Sequence, residues 1–188
     1  SHILAPGLYA YWTAVRDIKT EVVDARKVRF EHDDLPVILR SQMAQRVLDT
    51  CQIEQDHVGV AFEDGEYVQT LSPGRYAFWK DVAKLSVVRV DMRETMVDVG
   101  GQEIMTADKV TLRLNALVTY RVVDARQSVS VADDARQALY RESQLALRAV
   151  VGARDLDDFL TAKDAVAQEV EEILRERAGA LGLKNVSV

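Results

Sequence analysis

Between residues 110 and 123, apolar and polar side chains alternate almost without interruption. Val110, Leu112, Leu114, Ala116, Val118, Tyr120 and Val122 fall on one face. Thr111, Arg113, Asn115, Thr119 and Arg121 fall on the other, with Leu117 the one break. A period of two with a single apolar face predicts a half-buried antiparallel strand. The turn "TADK" at 106–109 would pair it with 102–105. Upstream, Leu85, Val87, Val88, Val90, Met92, Thr95, Val97 and Val99 run up to Gly100-Gly101 and predict one long or kinked strand. Asp64-Gly65 sits between two β-rich runs in "HVGVAFEDGEYVQT", a strong hairpin signal.

The period then changes. Asp133 or Asp134 is placed to cap a helix running to about Val151, with Leu139, Ser143, Leu147 and Val150 on one stripe and Gly152 at its end. "LDDFL" predicts a short helical turn. Thr161-Ala162-Lys163-Asp164 resembles a capping box ahead of a helix that turns Val166, Val170, Ile173 and Leu174 inward, to about Ala178. Val186 and Val188 alternate like the opening of a further strand. Nearer the start, Asp33 or Asp34 would cap "LPVILRSQMAQRVLDT" as one helix, with Pro36 in its first turn. Strands followed by helices make the class α+β.

One phrase occurs twice: "LAPGLYAYW" at 4–12 and "LSPGRYAFW" at 71–79. The match continues through Val15/Val82, Val23/Val90, Asp24/Asp91 and Arg26/Arg93 and then stops. This is a partial duplication, since a solenoid needs at least three units. Pro-Gly predicts a turn. The aromatics that follow have strand spacing, with Tyr9 and Tyr11 opposite Ala10 and Trp12, and Tyr76 and Phe78 opposite Ala77 and Trp79.

Composition narrows the classes. A chain of 188 residues, 48% hydrophobic and 29% charged, reads as an ordinary globular fold with room for a small appendage. The net charge of −6 and the lack of a dense Lys/Arg run argue against a nucleic-acid binder. No apolar run reaches the ~18 residues a spanning helix needs. Cys51 is the only cysteine, so no internal disulfide forms. The chain opens on Ser1-His2 without an initiator Met, and both ends are expected to be trimmed from a longer protein.

Candidate chemistry is thin. Cys51 could be a nucleophile with His32 or His57 as base, but a small buried hydrophobe at a helix end accounts for it better. Glu31-His32-Asp33-Asp34 could bind a metal, but consecutive residues cannot all turn to one ion, and a solvated loop is the favoured reading. Asp24/Arg26 and Asp91/Arg93 read as structural ion pairs before recognition pairs. No catalytic, cofactor-binding or metal-ligating residue is assigned. The contact residues expected from the repeat are Tyr9, Tyr11, Trp12, Tyr76, Phe78 and Trp79. They are expected to pack in part and to present aromatic tips to the headgroup region of a membrane, or to a partner.

From about 55 to 188 the sequence resembles the SPFH, or band 7, domain of stomatins, prohibitins and flotillins. The likeness is carried by "HVGVAFEDGEYVQTLSPGRYAF", by Asp91, Arg93, Gln102, Glu103, Thr106, Asp108, Val110 and "YRVVD" in the central block, and by "LYRESQLALRAVVGARDLDDFL". The bacterial slipins, relatives of stomatin, are the most similar branch. The resemblance implies a mostly antiparallel sheet followed by helices over 52–188, stopping short of the family's long helical tail. Residues 1–51 would then be an appended partial repeat of strands plus a helix. It also implies a non-enzymatic, cofactor-free scaffold that is soluble as this fragment and peripheral to a membrane at the cytoplasmic face of the inner membrane. Such a scaffold would assemble with itself, contact lipid through segments outside this stretch, organise a membrane patch and regulate membrane proteins such as a membrane-bound protease. Two alternatives are a peptide-binding module using a sheet edge and, less well supported, a hydrolase using Cys51 or a metal.

Overall fold

A computed structural model describes residues 3, 4, 7–11 and 19–188. Three antiparallel three-stranded sheets follow one another. In the first, β5 (Gly74–Trp79) lies between β1 (Arg29–Phe30) and β2 (Leu48–Ile53). In the second, β3 (His57–Glu63) lies between β4 (Glu66–Leu71) and β6 (Leu85–Asp91). In the third, β8 (Thr111–Val122) lies between β7 (Glu94–Met105) and β9 (Leu183–Ser187). The helices are α1 (Leu35–Ile38), α2 (Gln42–Val47), α3 (Ala125–Val131), α4 (Ala135–Gly152), α5 (Leu156–Thr161) and α6 (Lys163–Ala180). The class is α+β, as expected.

The β3–β4 hairpin turns on Asp64 and Gly65, at φ 51° and 89°. Both are left-handed, as a type I′ turn requires. Lys84 N donates to Asp64 Oδ1 at 3.2 Å, tying the hairpin tip to the start of β6.

The run 85–99 is two strands in two sheets, not one. The corner lies at 91–93, where the Asp91 carboxylate accepts from the backbone N–H of Arg93 at 2.9 Å and from its guanidinium at 2.5 Å. Met92 N donates to Asp56 O at 2.8 Å, leaving the ladder at the bend. Asp24 and Arg26 repeat the arrangement, with Arg26 N on Asp24 Oδ1 at 3.0 Å. The duplicated residues thus preserve a corner more faithfully than a strand.

β7 continues through Gly100-Gly101, where the register against β8 slips between Val99 and Gln102. Gly101 has φ +65° and donates its N–H to Asn115 Oδ1 at 2.6 Å. The extra residue of this bulge reverses the parity of the strand. Val97 and Val99 face inward before it; Gln102 and Ile104 face inward after it.

Helices α4 and α6 cover the inner face of the third sheet and build the main core with it. Asp134 caps α4, accepting from Arg136 N and Gln137 N. The capping box expected at 161–164 does not form. Thr161 Oγ1 donates back to Asp157 O at 2.9 Å and Asp158 O at 3.2 Å, closing α5, and α6 starts after Ala162 without a side-chain cap. α3 was not anticipated. It is capped by Asp124, and its Gln127 Nε2 donates to Gly179 O and Ala180 O, closing the end of α6.

The helix expected over 35–50 is two short helices and a strand. Ser41 Oγ accepts from Ala44 N at 3.2 Å and starts α2 afresh. From Leu48 the chain pairs with β5, Leu48 opposite Trp79 through Ile53 opposite Gly74. The boundary placed after residue 51 falls inside β2. Residues 7–11 carry no strand, although their counterparts in the second copy form β5. β5 has a neighbour on each edge, and a strand persists only through such a ladder.

Candidate functional site

The aromatic strand β5 and the cleft beside β2 gather most of the residues singled out from the sequence. The alternation along β5 is as expected, but each face serves its own apolar cluster. Tyr76 and Phe78 turn toward Ile53, Ala61 and Leu71. Ala77 and Trp79 turn toward Phe30, Ile38, Ala44 and Leu48. Phe78 is 3% exposed. Tyr76 OH donates to Ser72 O at 2.7 Å, and the Arg29 guanidinium lies 4.9 Å from its ring centroid. Trp79 meets Phe30 edge-on at 5.3 Å, and its buried Nε1 has no hydrogen-bond partner among the described residues. These three side chains hold the sheet together. Tyr9 and Tyr11 differ, being 49% and 48% exposed with their rings stacked at 6.4 Å. Trp12 lies outside the described residues.

Cys51, half-buried in β2, lines an open cleft of about 570 Å³ with Gln52, Arg75, Lys80, Arg89 and Asp49. Neither histidine weighed as its base is there. His32 Nδ1 accepts from Asp34 N at 2.9 Å in the turn before α1. His57 begins β3, opposite Asp91, with Nδ1 3.8 Å from Glu54. Glu31 pairs with Arg29 at 3.0 Å. Among the described residues, no three His, Cys, Asp or Glu side chains converge as a metal site.

The motif residues of the central block hold the domain together. Thr106 Oγ1 donates to Asp108 Oδ1 at 2.5 Å, and the same oxygen accepts from Leu156 N at 3.3 Å. Asp108 therefore serves the N-terminus of α5, where Asp155 makes no side-chain cap. Ala107 N donates to Arg154 O at 2.8 Å. The β7–β8 turn is clasped to the α4–α5 junction, a role that the sequence pattern alone did not disclose.

At the 91–93 corner, the Arg93 hydrogen bonds hold the Asp91 carboxyl down to about 2, against an ordinary 3.8. Asp24 is lowered by Arg26 in the same way. Because the folded value is depressed, the stabilisation is complete above about pH 4 and is lost as pH falls toward 2. Asp91 is about a third exposed, so water screens the pair. Asp91→Asn is expected to lower stability by about 0.5–1 kcal/mol at pH 7 and by almost nothing at pH 2. Chemical denaturation at both pH values reads the difference, and an equal loss at both would refute the ion-pair account.

Comparison with known proteins bears on the whole domain. The family model described as "SPFH domain / Band 7 family" matches residues 51–188. The chain belongs to the SPFH/Band 7 family. An uncharacterised protein of Archaeoglobus fulgidus is 33% identical over 130 residues, covering 69% of this chain and 51% of that protein. A stomatin homologue of Pyrococcus horikoshii is 33% identical over 129 residues, covering 69% of this chain and 48% of its own length. Mouse stomatin-like protein 3 is 30% identical over 97 residues, covering 52% of this chain and 34% of its own. These relatives are archaeal and mammalian, not bacterial. The chain spans about half the length of the two archaeal relatives. In this Band 7 chain, no helix among the described residues is long and apolar enough to cross a membrane. The matched span begins at the cleft cysteine and takes in every element from β3 onward, so β1 and the first half of β2 stand ahead of it.

Proposed function

We propose that the chain is the scaffold domain of a membrane-associated, stomatin-type protein of the slipin kind from a bacterium. It assembles with itself, organises a patch of membrane at the cytoplasmic face of the inner membrane, and regulates membrane proteins such as a membrane-bound protease. The observation that carries the reading is the Band 7 match over 51–188, joined to a sheet left open on one side. The outer face of β7–β8 carries exposed Met96 and Leu117. Glu94 stands opposite Arg121, and Glu103 opposite Arg113. Alternating apolar and paired charged positions suit lateral contact between domains better than they suit a catalytic cleft.

Of the aromatic contacts expected from the sequence, Tyr9 and Tyr11 are the pair we propose meets the headgroup region, because their rings are accessible while Phe78 is packed. A net charge of −6 gives no general attraction to anionic lipid. Tyr9→Ser/Tyr11→Ser is expected to reduce pelleting with phosphatidylcholine vesicles several-fold and to leave the unfolding midpoint unchanged. Unchanged pelleting removes these tips from the proposal. If the unsubstituted chain stays in the supernatant with vesicles and sediments as a monomer at every concentration, the scaffold reading fails for this domain.

A second reading, peptide capture by strand addition, has one observation behind it. β7 is twelve residues long and, among the described residues, is paired on one edge only. Such an edge can accept an extended segment. Removing residues 1–50 would take away β1 and half of β2, so peptide binding gained on that deletion would point to β5, and binding present without it to β7.

A further inference from the structure

Lys80, Arg75 and Arg89 line the same cleft, in a chain whose net charge is −6. The one carboxylate in the wall is already engaged. Lys80 Nζ stands 3.5 Å from Asp49 Oδ1 and donates to Gln45 O at 2.9 Å. That leaves the two guanidinium groups, neither of which forms an ion pair or hydrogen bond among the described residues. They come from different sheets. Arg75 is on β5 opposite Gln52, and Arg89 is on β6 opposite Gly59. A guanidinium offers a planar fork of donors that fits a phosphate bidentately. Both arginines and Gln52 are exposed, and the cleft brings their donors to one concave wall where a phosphate could meet both forks.

We propose that this cleft binds a phosphate group, presented either by a free phosphate compound or by a lipid headgroup. Arg75 and Arg89 clamp the phosphate oxygens, and Lys80 stays tied to Asp49 at the rim. The proposal does not rest on the membrane reading, because the first arm of its test contains no lipid.

Cys51 is the only cysteine and borders the cleft, so its alkylation is the probe of occupancy. Its rate of alkylation by iodoacetamide is measured in inorganic phosphate and in chloride at equal ionic strength. Saturating phosphate is expected to slow alkylation at least threefold. Arg75→Gln/Arg89→Gln is expected to abolish that protection, and the charge-matched Arg148→Gln/Lys163→Gln to keep it. Protection is scored as a ratio within each variant, which cancels any change in the intrinsic reactivity of the thiol. Arg89→Gln alone provides the reading if the double variant does not fold. No protection in the unsubstituted chain, or protection that survives loss of both arginines, overturns the proposal.

The second arm uses phosphatidylcholine vesicles with and without phosphatidic acid. Phosphate protection together with acid-dependent pelleting that is lost in Arg75→Gln/Arg89→Gln supports the site and assigns it to a headgroup. Phosphate protection with pelleting unchanged by the double substitution supports the site and assigns it to a free phosphate compound.

Discussion

Gly182→Ala is expected to lower the unfolding free energy by about 3 kcal/mol or more, the loss expected where a left-handed residue gains a side chain against fixed backbone. Gly182 has φ +71°, which already disfavours any L side chain. A Cβ built there stands 2.6 Å from Asp124 O and 3.2 Å from Ser128 N. The neighbouring backbone cannot step aside. Val123 N and Asp124 N both donate to Gly182 O, at 2.9 and 3.1 Å, so moving the chain to admit a methyl group breaks the bonds that hold α3 to the end of α6. The same junction launches β9 onto β8, through Val122 opposite Leu183. Gly179→Ala is the control. That position is helical, and its added Cβ meets nothing within 4 Å. It is expected to stabilise by about 0.5–1 kcal/mol through helix propensity. Equilibrium urea unfolding separates the two, and similar effects at both glycines would refute the steric account.

What could be read from the chain divides along a physical line. The strand at 111–122, the Asp64-Gly65 hairpin, α4 and α6 were legible because their cause is local. Each shows a full period, a turn dipeptide or a cap within its own residues. The failures lie where the cause is a distant partner. Residues 48–53 carry no alternation strong enough to outweigh the helical pattern before them, yet they form a strand because β5 lies alongside. Residues 7–11 copy β5 closely and form none. Gly100-Gly101 looks like the end of a strand, because a bulge declares itself only when the parity on both sides is known. The break after Asp91 is set by a side chain closing on its neighbour's backbone.

The site was legible in the same partial way. The alternation along β5 was correct, but an alternating strand does not disclose whether both faces are covered. The clusters on either side of β5 make Phe78 and Trp79 structural and leave Tyr9 and Tyr11 as the accessible aromatics. The cleft escaped notice altogether. Arg75 and Arg89 are far apart in sequence, and neither is remarkable until two sheets bring them to one wall. Burial and pairing along the chain therefore support a domain whose inside is devoted to architecture, with its options for recognition on open faces.

Leu174→Ala is expected to cost about 3–4 kcal/mol, within the range for a fully buried leucine that leaves a cavity. Leu174 is 0% exposed on α6, in the core shared with α4 and the third sheet. Packing on three sides limits how far the surroundings can relax, which favours the upper part of the range. The loss also tests how the sheets are joined. Both tryptophans, Trp12 and Trp79, precede the third sheet, and Trp79 packs in a separate cluster around Phe30. With Trp12→Phe as the background, the fluorescence of Trp79 alone reports the first sheet, and far-UV circular dichroism is dominated by α4 and α6. The second sheet is joined to the part built on the third sheet by the Asp91–Arg93 corner between β6 and β7, by Val90 packed on the main core, by the Arg126 guanidinium 4.1 Å from the Tyr67 ring centroid, and by Arg121 Nε donating to Met92 O at 2.8 Å. With those links intact, Leu174→Ala is expected to lower both denaturation midpoints together. A lowered circular dichroism midpoint with an unmoved fluorescence midpoint would mean that the first sheet folds as its own unit. The 91–93 corner would then be a hinge instead of a rigid joint.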